Sequence, residues 1–162
     1  MSQNRGGRLI LLLATAGTLA GAAIAATASS AASPRTHATS ARTVHVIEHA
    51  ITDTEMPSIN GKDAKGNLLV FNNPVFSVAN THQVGHDEGF CTRVSVSDGS
   101  WECLWTTFLK GGQITVQGPY YDTRNSVLSI TGGTGAYRTA RGQMRLLSRN
   151  GGAEYDFIFE LS

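Results

Sequence analysis

From about residue 43 to the C-terminus, apolar and polar side chains alternate with a period of two, which puts successive residues on opposite faces of a β-strand. The last such segment, "AEYDFIFEL" (153–161), states the pattern most plainly. Tyr155, Phe157, Phe159 and Leu161 share one face, while Glu154, Asp156 and Glu160 share the other. Seven more segments are strand-like, at 43–51, 66–71, 90–96, 101–109, 113–118, 126–131 and 142–149. Turn formers separate them: Asn60-Gly61, Asp98-Gly99, Gly111-Gly112, Gly132-Gly133 and Asn150-Gly151-Gly152. Eight short antiparallel strands in about 120 residues predict an all-β domain, either a closed barrel or a sandwich. In strand 101–109, Leu104 and Phe108 oppose Trp101 and Trp105 in parity. A barrel could use one such face for an interior pocket and the other for subunit contact.

The N-terminus follows a different rule. Arg5 and Arg8 precede an uncharged, apolar run from Leu9 to Ala26, and Ala26-Thr27-Ala28 supplies a small-x-small cleavage pattern. Residues 1–28 are therefore expected to be a cleaved signal peptide, 29–42 ("SSAASPRTHATSAR") a flexible leader, and 43–162 the folded domain. The expected location is extracellular, with no membrane association after cleavage. Removing residues 1–28 takes two arginines and no acid, so the formal charge of +1 becomes −1. A near-neutral domain does not attract polyanions, which argues against a nucleic-acid partner.

Two cysteines in an exported chain raise the expectation of a disulfide. In "CTRVSVSDGSWEC" a two-residue turn at Asp98-Gly99 would place Val94 opposite Cys103 and leave Cys91 on the other face. A one-residue bulge would restore the parity, so a disulfide and a free cavity thiol both stay open. The same turn sets Arg93 diagonal to Glu102, as a plain cross-strand pair.

"SITGGTGAYRTARGQM" (129–144) has three glycines in four positions. A phosphate-binding loop needs a following helix and usually a Lys, and a dinucleotide fingerprint starting at Gly133 would need Gly at 138, where Arg138 stands. The glycines read instead as a strand-to-strand connection. His45 and His49, like His82 and His86, are four apart, roughly 13 Å on a strand, which does not suit a zinc site. Neither a metal nor a cofactor is expected.

With that loop between two strands, "QITVQGPYYDTRNSVLSITGGTGAYRTARGQM" resembles the closing half of the allene oxide cyclase and dirigent superfamily. "VQGPY" followed by "SITGGTG" is similar to allene oxide cyclases, and "GGTGAYRTARG" to the dirigent signature, while "GNLLVFNNPVF" and "VGHDEGFC" fit both. The resemblance spans about 43–162. It implies an eight-stranded antiparallel closed β-barrel, often a homotrimer, with an apolar cavity that binds a small apolar molecule. In the cyclases a first-strand Glu, a Pro carbonyl, water-holding Asn residues and a cavity Cys are the polar parts. The match puts Glu48, Pro57, Asn73 and Cys91 in those places, Glu48 and Asn73 as the catalytic candidates, with Phe71 and Tyr120 beside Pro57 and Cys91 for substrate. Ala50 and Met56 depart from the pattern, where the family has its other Asn and a Ser; Ala50 and Ala136 replace the two Asp residues of phenol-coupling dirigent proteins.

The residues themselves allow plainer roles. Glu48 is in phase with Val44 and Val46, which points it inward, but a solvent-facing strand carboxylate is the alternative. Asn73 before Pro74 could simply satisfy local backbone groups. Three functions follow: an isomerase or cyclase that directs ring closure, a lipocalin-like extracellular carrier, or a structural protein whose barrel is filled by its own side chains.

Overall fold

The computed structural model describes residues 42–57 and 60–162. The expected signal peptide and, apart from Arg42, the expected leader lie outside the described residues. Nine strands follow in chain order: β1 (Arg42–His49), β2 (Thr54–Met56), β3 (Leu68–Ser77), β4 (Gln83–Ser95), β5 (Ser100–Leu109), β6 (Gly112–Tyr121), β7 (Ser126–Gly133), β8 (Gly142–Arg149) and β9 (Glu154–Leu161). Each pairs antiparallel with its sequence neighbour from β2 to β9; β9 then pairs with β1, and β1 closes on β3. The result is the closed eight-stranded antiparallel barrel expected from the sequence, with β2 as a short outer strand. Closure removes the exposed sheet edges that short strands otherwise carry.

The seam between β1 and β3 shapes everything near the site. β1 covers only Val75 to Ser77 of β3, and β2 covers Leu68 to Val70 along the same edge. The two act as one interrupted strand, with Ala50–Asp53 as the interruption. Pro74 falls in the gap between them, where its missing N–H breaks no ladder to β1 or β2. This explains why β3 continues through "FNNP", past the end expected at Phe71.

The second departure is the hairpin. The connection from β4 to β5 is a four-residue turn, Val96–Gly99, and the register slips between Arg93 and Ser95. Val94 is thereby left as the extra residue of a bulge. Cys91 then lies directly opposite Cys103, and the two form a disulfide. The bulge that a disulfide required is present, and no free thiol is. The same shift turns Arg93 inward, opposite Trp101 rather than beside Glu102. Its guanidinium lies 3.9 Å from the Trp101 ring centre and bonds both Asp63 and Asp122.

β4 begins at Gln83, earlier than the alternation suggested, because three of its inward positions carry no apolar side chain: Gly85, Asp87 and Gly89. A Cβ on Gly89 would collide with the Leu104 carbonyl and with Cα and Cβ of Trp105 across the ladder, so the glycine permits a close approach of β4 to β5 there.

Inward side chains fill the two ends of the barrel unequally. At the end capped by the glycine-rich loop, Ile114, Val116, Ile130, Met144 and Phe159 pack without exposure above 4%. That loop forms a single 3-10 turn, Gly135–Tyr137, tied to the β5–β6 turn by Ala136 N–H donating to the Gly111 carbonyl at 2.9 Å. Gly135 has φ +57°, and a side chain there would strike the Gly111 carbonyl, so the motif serves a close backbone crossing. It is the strand connection the sequence implied. At the opposite end the interior is not filled, and the site lies there.

The disulfide closes a loop twelve residues apart across two neighbouring strands. Replacing both cysteines by alanine is expected to lower unfolding free energy by about 2–3 kcal/mol. Urea denaturation measures this, and a loss below about 0.5 kcal/mol would contradict it.

Candidate functional site

The open end of the barrel holds a hollow of about 40 Å³, room for about three waters at roughly 10–15 Å³ each. Its walls are Leu69 and Phe71 from β3, the Cys91–Cys103 disulfide, Trp105, Leu146 and Phe157, with Tyr120 and Tyr155 further along. The phenols of Tyr120 and Tyr155 bond each other at 2.9 Å. Two acids complete the lining, Glu48 and Asp53.

Asn73 organises those acids. Its side-chain oxygen accepts from the backbone N–H groups of Ile51 (3.1 Å) and Thr52 (2.9 Å). Backbone N–H groups only donate, so the amide orientation is fixed and its NH₂ must point the other way. There it donates to Glu48 Oε1 and to Asp53 Oδ1, each at 2.7 Å. The single side chain thus pins the Ala50–Asp53 interruption, holds the Glu48 carboxyl and swings Asp53 to the mouth. Thr52 closes the remaining edge of β3, its hydroxyl accepting from the Asn72 N–H at 2.8 Å. Behind Asn73, fully buried Asp87 accepts the Asn73 N–H at 3.2 Å; its other oxygen has no hydrogen-bond partner among the described residues.

Of the residues singled out from the sequence, Glu48, Phe71, Cys91 and Tyr120 line the hollow, and Asn73 stands directly behind it. Glu48 is 5% exposed, so the solvent-facing alternative is excluded. Asn73 does both things considered for it, satisfying local backbone and holding Glu48. Pro57 is not in this group. It is exposed just past the end of β2 and is not among the residues that line the hollow. Cys91 lines the wall as half of a disulfide, so it offers polarisable surface and no titratable thiol. Ala136 sits at the far end of the barrel, beside Gly111.

Sequence reading missed Asp53 and Asp87. Asp53 lies in the strand interruption, which carries no periodic signal. Asp87 could have been found, because it shares parity with Cys91 two steps along the same strand.

Burial governs the charge state. Glu48 is pushed up to about 8, first by desolvation and then by the nearby Asp53 charge, with the Asn73 hydrogen bond opposing. Asp87 is pushed up to about 9 by desolvation and by Glu48. At neutral pH the Glu48 carboxyl is therefore mainly protonated, and its Oε2 makes no hydrogen bond among the described residues. Such a group can donate a proton to a basic atom in the hollow and then, as carboxylate, stabilise positive charge beside it. A raised carboxyl also has a stability consequence of definite sign. Between the ordinary value of 4.5 and about 8, native Glu48 keeps a proton that the unfolded chain has released, so stability falls as pH rises through that window. The melting temperature of the protein is expected to be several degrees lower at pH 8 than at pH 5, and the decline to be shallower in Glu48→Gln and in Asp87→Asn. Equal slopes in wild type and both variants would contradict the assignment.

The same barrel occurs in solved structures of differing activity. Pyocyanin demethylase superposes with a TM-score of 0.62 at 21% identity, over 72% of this chain and 98% of that one. A pterocarpan synthase dirigent protein gives 0.62 at 19% identity, over 75% and 85% of the two chains. The Diels Alderase AbmU from Streptomyces koyangensis gives 0.58 at 9% identity, over 77% and 71%. At these identities the likeness establishes the fold and leaves the chemistry to each site. A family model for allene oxide cyclase matches residues 37–149, which span β1 to β8 and every residue of the Glu48–Asn73–Asp87 cluster, and the chain accordingly belongs to the allene oxide cyclase family.

Proposed function

We propose that the protein is a secreted isomerase or cyclase that binds one small apolar or aromatic molecule in the hollow and directs its ring closure or rearrangement, with Glu48 as the acid. One observation carries this reading: a buried carboxyl, held by the Asn73 amide, at the end of a largely apolar and aromatic hollow. Burying a carboxyl costs stability, and a packed leucine would fill the place more favourably. Proton donation from Glu48 leaves a carboxylate 2.7 Å from the Asn73 amide, which stabilises it without reorganisation. A group that titrates near 8 is suited to exchange protons close to neutral pH. The walls supply the rest. Rigid rings and a disulfide admit few conformers of a ligand, and each ~1.4 kcal/mol of discrimination between conformers gives tenfold selectivity.

The signal-like sequence of residues 1–28 supports function outside the cell, and the disulfide fits an oxidising compartment. A lipocalin-like carrier would need the same hollow and no acid.

The test starts from native mass spectrometry of the exported protein to identify a co-purifying ligand, followed by turnover assays on it and its precursors. Glu48→Gln, which keeps the amide-to-Asn73 geometry, is expected to hold ligand within about threefold of wild type while product formation falls by about 10²–10⁴. Unchanged product formation in Glu48→Gln would overturn the acid role, and ligand release without any turnover by wild type would make the protein a carrier.

A further inference from the structure

We propose that the closed end of the barrel is a docking surface for an anionic lipid bilayer, held there by the exposed cations Arg42, Lys110, Arg138 and Arg141. The inference concerns the end opposite the hollow and is independent of the chemistry assigned to Glu48.

The glycine-rich connection builds this surface. Tyr137 and Ala140 are buried, three residues apart, and Arg138, Thr139 and Arg141 beside them are exposed. Neighbouring segments bring the other two cations to the same end. Arg42, the first residue of β1, pairs with Leu161, and its guanidinium lies 5.3 Å from the Tyr137 ring centre. Lys110 precedes Gly111, whose carbonyl accepts the Ala136 N–H at 2.9 Å. The Ser162 N–H donates to the Arg141 carbonyl at 3.0 Å and fixes the last side of the array.

These cations are not engaged by acids. Arg93, Arg124, Arg145 and Arg149 each have a carboxylate partner within 3.5 Å, whereas among the described residues Arg42, Lys110, Arg138 and Arg141 have none. The turns and strand ends here, 77–83, 109–113 and 131–142, contain no Asp or Glu. Glu160, one step in from the end of β9, is bonded by Gln143 and Arg145. A terminal carboxylate at Ser162 would still leave the surplus positive.

Charge is therefore uneven along the barrel axis. Residues 42–162 hold ten Lys and Arg against twelve Asp and Glu, and four of the ten stand at this end. A near-neutral sum gives no attraction from a distance, but contact is different. Strands of eight residues, tilted as in a barrel, set the two ends roughly 20 Å apart. The screening length at physiological salt is about 8 Å, so acids at the mouth do not cancel cations pressed against a surface.

The course of the chain favours lipid over a soluble polyanion. Everything N-terminal to the domain joins it at Arg42, on this end. That stretch carries the apolar run Leu9–Ala26, of the kind that enters the bilayer during export, and Glu48 is the first acid in the sequence. The basic end thus leads back to the membrane with no acidic residue between. Docking of this kind needs no spanning segment, and it revises the expectation of no membrane association after cleavage. A molecule lying on its closed end presents the mouth of the hollow away from the lipid.

The test mixes the exported protein with vesicles of phosphatidylcholine alone, or of equal parts phosphatidylcholine and phosphatidylglycerol, and reads binding by co-sedimentation. Binding is expected to the mixed vesicles only, and to be lost as salt rises towards about 0.5 M. Arg138→Gln combined with Arg141→Gln is expected to weaken it about 10–30-fold, at roughly fivefold per charge. Arg138→Lys combined with Arg141→Lys keeps the charge and is expected to hold affinity within about threefold, which separates charge from any effect on the turn. Lys62→Gln combined with Lys65→Gln, at the open end, is expected to change nothing. Equal binding to both kinds of vesicle, no binding to the mixed vesicles at low salt, or an equal loss in the Lys62 and Lys65 variant overturns the proposal. So does binding to soluble polyphosphate with none to the vesicles, which would make the partner a free polyanion.

Discussion

The hydrogen bond from the Asn73 amide to the Glu48 carboxyl is the contact on which the site depends. It joins the two sides of the barrel seam where the β1–β3 ladder is only three pairs long. The amide has no freedom to turn over, because Ile51 and Thr52 occupy its oxygen. Glu48 and Asp53 are thereby held at set positions by one residue, and the strand interruption that carries Asp53 is stitched to the wall it leaves. A side chain of this kind is both seam and site. Its loss would loosen the closure of the barrel and release the acids together.

The barrel divides its labour along its axis. One end is filled by branched and aromatic side chains and capped by the glycine-rich turn, and its burial stabilises the closed sheet. The other end gives up packing to a small hollow, to two raised carboxyls and to an unpartnered Asp87 oxygen. Buried polar groups of this sort cost stability, commonly about 1–3 kcal/mol each. The disulfide stands beside them on the ladder between β4 and β5, where it braces the wall nearest the destabilised groups. Strain at a site balanced by rigidity close by is a common arrangement in functional cavities.

Much of this was legible from side-chain alternation. A period of two located all eight barrel strands, and parity with Val44 and Val46 was enough to turn Glu48 inward. Alternation is silent, however, about breaks in itself. The bulge at Val94 inserts one residue and reverses the face of everything before it, which is why Cys91 and Arg93 could not be placed by counting from Asp98-Gly99. The interruption at Ala50–Asp53 has no period at all, so Asp53 was invisible, and Pro57, placed at the site by resemblance, is exposed past β2 and outside the lining. Asp87 was hidden for another reason: in "VGHDEGF" polar residues and glycines dominate, and a strand that buries an acid does not look like a strand. The resemblance to the family supplied the barrel and the Glu48–Asn73 pair, and geometry supplied the acids around them.

The central claim is that Glu48 is a neutral acid at physiological pH because the protein has taken it out of water. Carbon-13 NMR of the glutamate side-chain carboxyls, with Glu48→Gln used to assign the signal, measures this directly. The account predicts a Glu48 carboxyl that is still protonated at pH 7 and titrates near 8. A midpoint close to the ordinary 4.5 would mean that water reaches the group freely, and would contradict the account.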